Sequence, residues 1–150
     1  MKLNRFDEFI YLLLVNANQM AYLEDAPKTH SMLWQINELY RYMIRKCDTA
    51  MLGDELSALG IYMDIQSARY ENRFTIKLHN SLINNVVSIR HLCLLDFVDN
   101  IMNSALAGYE GYFDIYLLLH MDGKIRMTAT LETDKKKDVF MLILPEECDV

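Results

Sequence analysis

The chain has 150 residues, of which 52% are hydrophobic and 24% are charged. This size and composition are typical of a globular protein with one domain or two very small ones, and they exclude a disordered or collagen-like chain. The net charge of −6 argues against a nucleic-acid-binding protein, because phosphate contacts need clustered cations.

Three widely spaced cysteines, Cys47, Cys93 and Cys148, form no C-x-x-C pair. Their pattern predicts reduced thiols and no metal site. The longest apolar run near the start, residues 9–15, is too short to span a membrane, and no small-residue cleavage site follows it. We therefore expect a cytoplasmic protein without membrane insertion, and Met1 favours a freestanding chain.

The first 50 residues carry two apolar stripes at helical spacing. One runs from Phe6 to Ala21, and the second runs from Leu33 to Cys47. Between them, Asp25 and Pro27 predict the N-cap and first turn of the second helix. Two helices with a short connection form an antiparallel hairpin. Because each apolar face is wider than one neighbour can cover, we expect residues 1–50 to dimerise into a four-helix bundle.

Residues 51–150 alternate between helical and strand patterns, which predicts an α+β domain of about four strands on two helices. Gly53 marks a break before the third helix, and a fourth helix is predicted over 89–106. Asp122-Gly123 is a pair typical of hairpin turns. The predicted strands are residues 74–79, 113–121, 124–131 and 139–144, the last stopped by Pro145.

A spaced series of motifs occupies residues 36–74: INELYRY, LGDEL and YMDIQ, followed by Arg69-Tyr70 and Arg73-Phe74. The series resembles the pattern L-R-Y, L-x-x-E-L and Y-L-x-I-Q-x-x-R-F-x-x-R of LytS/YesM-type sensor histidine kinases. Residues 92–105, LCLLDFVDNIMNSA, are similar to that family's N box. The resemblance covers nearly the whole chain. It implies a phosphoacceptor and dimerisation hairpin, followed by a reduced, GHKL-like ATP-binding domain.

The phosphoacceptor histidine of the family falls on Glu8 in this resemblance. A phosphoramidate needs an imidazole nitrogen as nucleophile, and a carboxylate cannot replace it. No histidine occurs in the first predicted helix. The sequence therefore predicts that the chain is not an active kinase.

The resemblance also assigns Asn100 to the family's Mg²⁺-holding asparagine and Asp99 to its water-positioning acid. Two interpretations of Asn100 remain open: part of a vestigial nucleotide and Mg²⁺ site, or a polar residue on a helix rim. The adenine-reading D-x-G box is expected after the strand at 124–131, where the sequence ETDK lacks the glycine that lets a backbone approach a nucleotide. The glycine-rich lid is also missing, so we expect no ATP or Mg²⁺ cofactor.

These departures favour a catalytically inactive, histidine-kinase-like regulatory protein of two-component-type signalling. It would act as a homodimer, or as a heterodimer with a histidine kinase, and bind a response regulator or partner kinase. Two alternatives remain: a non-catalytic sensor of ATP and Mg²⁺ that uses Asn100 and Asp99, and a phosphotransferase of a phosphorelay. The residues expected at the dimer or partner interface are Phe9, Ile10, Leu13, Ile36, Leu39 and Met43.

Overall fold

A computed structural model describes residues 5–144, and within them it has four helices and six strands. The α+β class predicted from the sequence is confirmed. The helices are α1 (Arg5–Leu23), α2 (Pro27–Met43), α3 (Leu52–Arg69) and α4 (Cys93–Gly108). The strands are β1 (Thr49–Met51), β2 (Phe74–Asn80), β3 (Ser88–Arg90), β4 (Phe113–Asp122), β5 (Lys124–Glu132) and β6 (Lys137–Ile143).

Helices α1 and α2 pack against each other across a three-residue connection. Pro27 is the first residue of α2, where its missing N–H costs nothing. The predicted N-cap at Asp25 is wrong, because Ala26 precedes the helix and Asp25 has a positive φ of 56°. Helix α2 ends at Met43, so the predicted stripe that continued to Cys47 is too long.

A four-stranded sheet in the order β2-β4-β5-β6 forms the centre of the second half. Strands β2 and β4 are parallel, and the other pairs are antiparallel. Alternate residues of β4 and β5 are buried beneath α3 and α4. The predicted turn at Asp122-Gly123 is confirmed: Asp122 and Lys124 face each other across Gly123, whose φ of +68° favours glycine.

A second sheet of two short strands, β1 and β3, was not predicted. Each strand has only three residues, which is too few to show an alternating pattern. Residue 89 therefore lies in β3, and the predicted helix start there is wrong: α4 begins at Cys93, after Leu92 in a left-handed conformation with φ 66°. Gly53 is the second residue of α3 rather than a break before it.

Helix α2 also packs against α3, which joins the helical hairpin to the rest of the molecule. Of the cysteines, Cys47 is exposed and Cys93 is buried, both as free thiols, and burial raises the pKa of Cys93 to about 11. Pro145 and Cys148 lie outside the described residues. None of the helices described here is long and apolar enough to cross a membrane.

Candidate functional site

Asp99 and Asn100, adjacent on α4, lie in different surroundings. The Asp99 carboxylate accepts a hydrogen bond of 2.6 Å from the Tyr62 hydroxyl and one of 3.1 Å from Asn103 Nδ2. Asn100 is exposed to solvent. The two predicted site residues are thus neighbours in the sequence, but only Asp99 makes a hydrogen bond to α3.

Tyr62 is the centre of a short network between α3 and α4. Its hydroxyl accepts a hydrogen bond of 3.0 Å from Gln66 Nε2, and Gln66 Oε1 accepts one of 3.3 Å from Arg69. Burial raises the pKa of Tyr62, and the hydrogen bond to Asp99 raises it further. Tyr62 is therefore a neutral donor, and Asp99 is its acceptor in the packing of two helices.

A groove of about 350 Å³ opens where α2, α3 and α4 meet. Its walls are mostly apolar, and carboxylates of Asp96 and Asp99 stand beside them together with Arg69. Such a surface suits an apolar side chain that is accompanied by a polar or charged group. Its apolar lining residues are Ile36, Leu39, Met43, Ile65, Leu92 and Leu95.

The six residues predicted for the interface therefore divide into two sets. Those of α2, which are Ile36, Leu39 and Met43, line the groove, and Leu39 also packs against the core. Those of α1 are open to solvent, with Phe9 58% exposed and Leu13 49% exposed. Ile10 of α1 is 37% exposed, and the side chain of Glu8 lies outside the described part of the chain.

Sequence reasoning missed the buried carboxylate of Glu55, which has no exposed surface. Its two oxygens accept hydrogen bonds from the backbone N–H groups of Leu92 (3.1 Å), Leu94 (3.1 Å) and Leu95 (3.3 Å), and a further one from the Tyr42 hydroxyl. Glu55 therefore caps the start of α4 from a neighbouring helix, where a negative charge also suits the helix dipole. The sequence did contain one sign that Glu55 is buried: it lies at helical spacing between Leu52 and Leu59, on the buried side of α3.

Tyr42, near the end of α2, completes this cluster. His91 lies edge-on to its ring at 4.9 Å, and Arg45 lies over the ring at 4.9 Å. His91 Nε2 donates to the Tyr42 carbonyl oxygen at 3.0 Å. Burial, followed by the hydrogen bond to Glu55, raises the pKa of Tyr42 far above its usual range. Tyr42 and Glu55 thus connect α2, α3 and α4 through one set of hydrogen bonds, which we call the Tyr42–Glu55 cluster.

The stretch expected to hold the adenine box is a compact turn between β5 and β6. Thr133 N–H donates to the Lys136 carbonyl at 2.9 Å, and Thr133 Oγ1 accepts from the N–H groups of Lys135 and Lys136. Lys136 pairs with Asp138 at 2.9 Å. The structure describes no group of three or more side chains placed to hold a metal ion within residues 5–144.

A comparison with known protein families gives a match for one part of the chain. Residues 7–74 match the family model described as Histidine kinase. No curated protein matches the chain significantly. The matched segment contains the helical hairpin, Tyr42 and Glu55, and it ends before α4 with Asp99 and Asn100. This match relates the chain, through residues 7–74, to the histidine kinases.

Proposed function

We propose that this protein is a catalytically inactive, histidine-kinase-like regulator of two-component-type signalling. It dimerises through its helical hairpin and binds a response regulator or a partner histidine kinase. In this proposal it is a degenerate relative of the LytS/YesM-type kinases, with a reduced GHKL-like second half. The observation that carries the proposal is the four-residue turn at 133–136, which leaves no segment between β5 and β6 to fold over a nucleotide.

The side chains near the expected nucleotide site also support inactivity. Both carboxylate oxygens of Asp99 already accept hydrogen bonds from protein side chains, so the acid is committed to helix packing. Of the cations at the turn, Lys136 is paired with Asp138 and Lys137 lies 4.0 Å from Glu132. Glycine-rich backbone that could cradle phosphates is absent from the turn sequence TDKK.

The hairpin supports association rather than phosphotransfer. Its sequence has a single histidine, His30 at the start of α2, and α1 has none. The His30 ring packs near Tyr22, with 5.5 Å between ring centroids. In contrast, Phe9 and Leu13 expose about half of their surface on α1. Association with a second hairpin would bury this apolar surface, and such burial is favourable by about 25 cal/mol per Å².

The test of inactivity is a calorimetric titration of the purified chain with ATP and Mg²⁺. We expect no heat of binding at millimolar nucleotide. Heat that disappears in Asn100→Ala but persists in Asn84→Ala, a matched asparagine in the loop before β3, would overturn the proposal in favour of a nucleotide sensor.

Partner binding is tested with a panel of purified receiver domains, phosphorylated with labelled phosphate. We expect a receiver to bind without losing its label to the chain. Label that moves onto the chain, and fails to move onto His30→Gln, would replace the proposal with the phosphotransferase alternative. A chain that neither self-associates nor binds any receiver or histidine kinase would contradict the regulatory role itself.

A further inference from the structure

We propose that the groove between α2, α3 and α4 binds a small amphiphilic amine, whose apolar chain lies along the groove and whose protonated amino group pairs with Asp96. The groove has a volume of about 350 Å³, within the range of about 300–1,000 Å³ that is typical of small-molecule sites. Such sites are common between packed helices. An amine of this kind is chemically unlike a nucleotide, and its binding does not depend on the proposed function.

The shape of the groove suits a single extended chain. The residues that line its three walls lie at positions 36–43, 62–69 and 92–99, which on each helix is about two turns, or roughly 10 Å. Helix α3 packs against both α2 and α4, and the axes of packed helices lie about 8–10 Å apart. A further helix, about 10–12 Å wide, is too wide to enter between them. A chain roughly 10 Å long can reach the apolar floor of the groove.

The floor of the groove is made of packed apolar side chains. Leu95 is only 6% exposed, and Leu39 and Leu92 pack against the hydrophobic core. Met43, at the rim, is 46% exposed. An alkyl chain that lies on these side chains leaves water, which is favourable in proportion to the area buried. Its affinity should rise by up to about fourfold with each added methylene.

The polar groups that line the groove are bonded within the protein, with the exception of Asp96. The bonded pairs are Tyr40 with Asp7 (3.0 Å), Tyr62 with Asp99 (2.6 Å), Gln66 with Tyr62 (3.0 Å) and Arg69 with Gln66 (3.3 Å). Asp96 is exposed, and no side chain within residues 5–144 forms an ion pair with it. A ligand with one polar end and an otherwise apolar body therefore leaves no polar group of the groove unpaired.

The charges of the lining favour a cation at that polar end. Asp96 and Asp99 are three positions apart on α4 and so lie on the same face of the helix. Of the lining residues that the structure describes, Arg69 alone is cationic, and its guanidinium bonds to Gln66 and lies 5.0 Å from the centre of the Tyr70 ring. A protonated amine would thus meet two carboxylates, whereas an anion would meet a guanidinium that is already engaged.

The start of α4, which would otherwise attract an anion, is occupied by Glu55. Unpaired N–H groups at the N-terminus of a helix form a ready anion site. Here the Glu55 carboxylate accepts hydrogen bonds from the N–H groups of Leu92, Leu94 and Leu95. An anionic ligand would meet a second negative charge at this end of the groove, and an ammonium group beside Asp96 would not.

The first test is a calorimetric titration of the purified chain with octylamine, octanol and octanoate, each below the concentration at which it forms micelles. Near neutral pH octylamine is protonated, as a lysine side chain is, and octanoate is ionised. We expect octylamine to bind at least about tenfold more tightly than octanoate, with octanol between them. Octanoate that binds as tightly as octylamine, or octylamine that does not bind, would overturn the proposal.

The length of the probe tests the apolar part of the ligand. Hexylamine carries the same charge as octylamine on a chain that is shorter by two methylenes. We expect it to bind roughly tenfold more weakly, because less apolar surface leaves water. Equal affinities for the two amines would mean that the chain does not lie in the groove, which contradicts the proposal.

The charged contact is tested by comparing Asp96→Asn with Asp114→Asn. Asp114 lies on β4, on the outer face of the sheet, so its replacement makes the same change of net charge away from the groove. We expect Asp96→Asn to weaken octylamine binding at least about tenfold and to leave octanol binding unchanged. Asp114→Asn should bind both probes as the unaltered chain does. Equal affinity of the two variants for octylamine would show that Asp96 does not hold the amine.

The position of the chain is tested with Ile65→Trp, whose indole would fill the groove from α3. Ile83 is fully exposed in the loop between β2 and β3, so Ile83→Trp is the control for the added ring. We expect Ile65→Trp to bind neither octylamine nor octanol, and Ile83→Trp to bind both. Unchanged binding by an Ile65→Trp chain with the far-ultraviolet circular dichroism of the unaltered chain would overturn the proposal. If Ile65→Trp does not fold, the comparison of Asp96→Asn with Asp114→Asn decides.

Discussion

At the scale of single residues, Glu55 shows how a charge can be stable without contact with water. Its carboxylate is fully buried, and each oxygen accepts two hydrogen bonds. A buried charge is costly unless it is hydrogen-bonded in this way. The same bonds satisfy N–H groups at the start of α4, which a helix leaves unpaired. Glu55 therefore connects α3, to which it belongs, with the start of α4, which it caps.

Replacing Glu55 with alanine should be strongly destabilising. Three backbone N–H groups and the Tyr42 hydroxyl would lose their hydrogen-bond acceptor in the protein interior. Each buried donor left without an acceptor costs about 1–3 kcal/mol. We expect Glu55→Ala to lower the free energy of unfolding by about 3 kcal/mol or more, as measured by urea denaturation. The matched control is Asp54→Ala, which removes an exposed carboxylate 3.2 Å from Arg45 and should cost less than about 1 kcal/mol. Similar losses in both variants would show that Glu55 is not a buried cap.

The raised pKa of Tyr42 predicts a loss of stability at alkaline pH. In the unfolded chain a tyrosine ionises near pH 10, whereas burial and Glu55 keep Tyr42 protonated in the folded chain. Above about pH 10 the folded chain then holds a proton on Tyr42 that the unfolded chain has lost, so the stability that Tyr42 contributes is constant below about pH 10 and falls as the pH rises above it. Tyr42→Phe should be less stable at neutral pH, by about 1–3 kcal/mol, but should decline less steeply.

Urea denaturation at a series of pH values between about 8 and about 11 measures both effects. Tyr22→Phe, which removes a hydroxyl from a residue 71% exposed, is the control and should keep the alkaline slope of the unaltered chain. A Tyr42→Phe chain with an unchanged slope would mean that Tyr42 does not titrate differently on folding.

At the scale of secondary-structure elements, long periodic segments could be predicted and short ones could not. The alternation in β4 and β5 and the apolar stripe of α1 each extend over at least nine residues, and these elements were found within one or two residues of their predicted bounds. Strands β1 and β3 have three residues each and exist through pairing with residues about 40 positions apart. Such strands depend on tertiary contacts rather than on local sequence.

The candidate site was less predictable than the fold. Spacing and resemblance selected Asp99 and Asn100, but they could not indicate that Asp99 bonds to Tyr62, 37 positions earlier in the chain. The same applies to Glu55, whose partners are 13 to 40 positions away. Hydrogen bonds between distant residues depend on how the helices pack, which periodicity does not report.

The exposed face of α1 predicts how the hairpin associates. If Leu13, 49% exposed, is buried against a second hairpin, a charge at this position should separate the copies. We expect Leu13→Glu to lower the association constant for dimerisation by at least about 100-fold, as measured by light scattering after size exclusion. Ser104→Glu, at an exposed polar position on α4 outside the hairpin, should have little effect. Equal association of the Leu13→Glu chain and the unaltered chain would exclude a hairpin interface through this residue.

At the scale of the whole molecule, the Tyr42–Glu55 cluster makes the hairpin and the sheet domain parts of one structure. Tyr42 belongs to α2, Glu55 to α3, and the capped N–H groups to α4. A hairpin attached only by a connecting segment could open without disturbing the sheet. With these hydrogen bonds, opening the hairpin removes a donor from Glu55 and weakens the start of α4. The two halves should therefore unfold together.

The single tryptophan, Trp34, allows this coupling to be measured because it lies in α2, one of the two helices of the hairpin. We expect its fluorescence and the far-ultraviolet circular dichroism to show the same urea midpoint, as in two-state unfolding. In Glu55→Ala the two transitions should separate, because Tyr42 of α2 loses its hydrogen bond to the residue that caps α4. Asp54→Ala should keep the two transitions coincident. Separate transitions in the unaltered chain would show that the hairpin is an independent unit, and that the cluster does not couple it to the sheet.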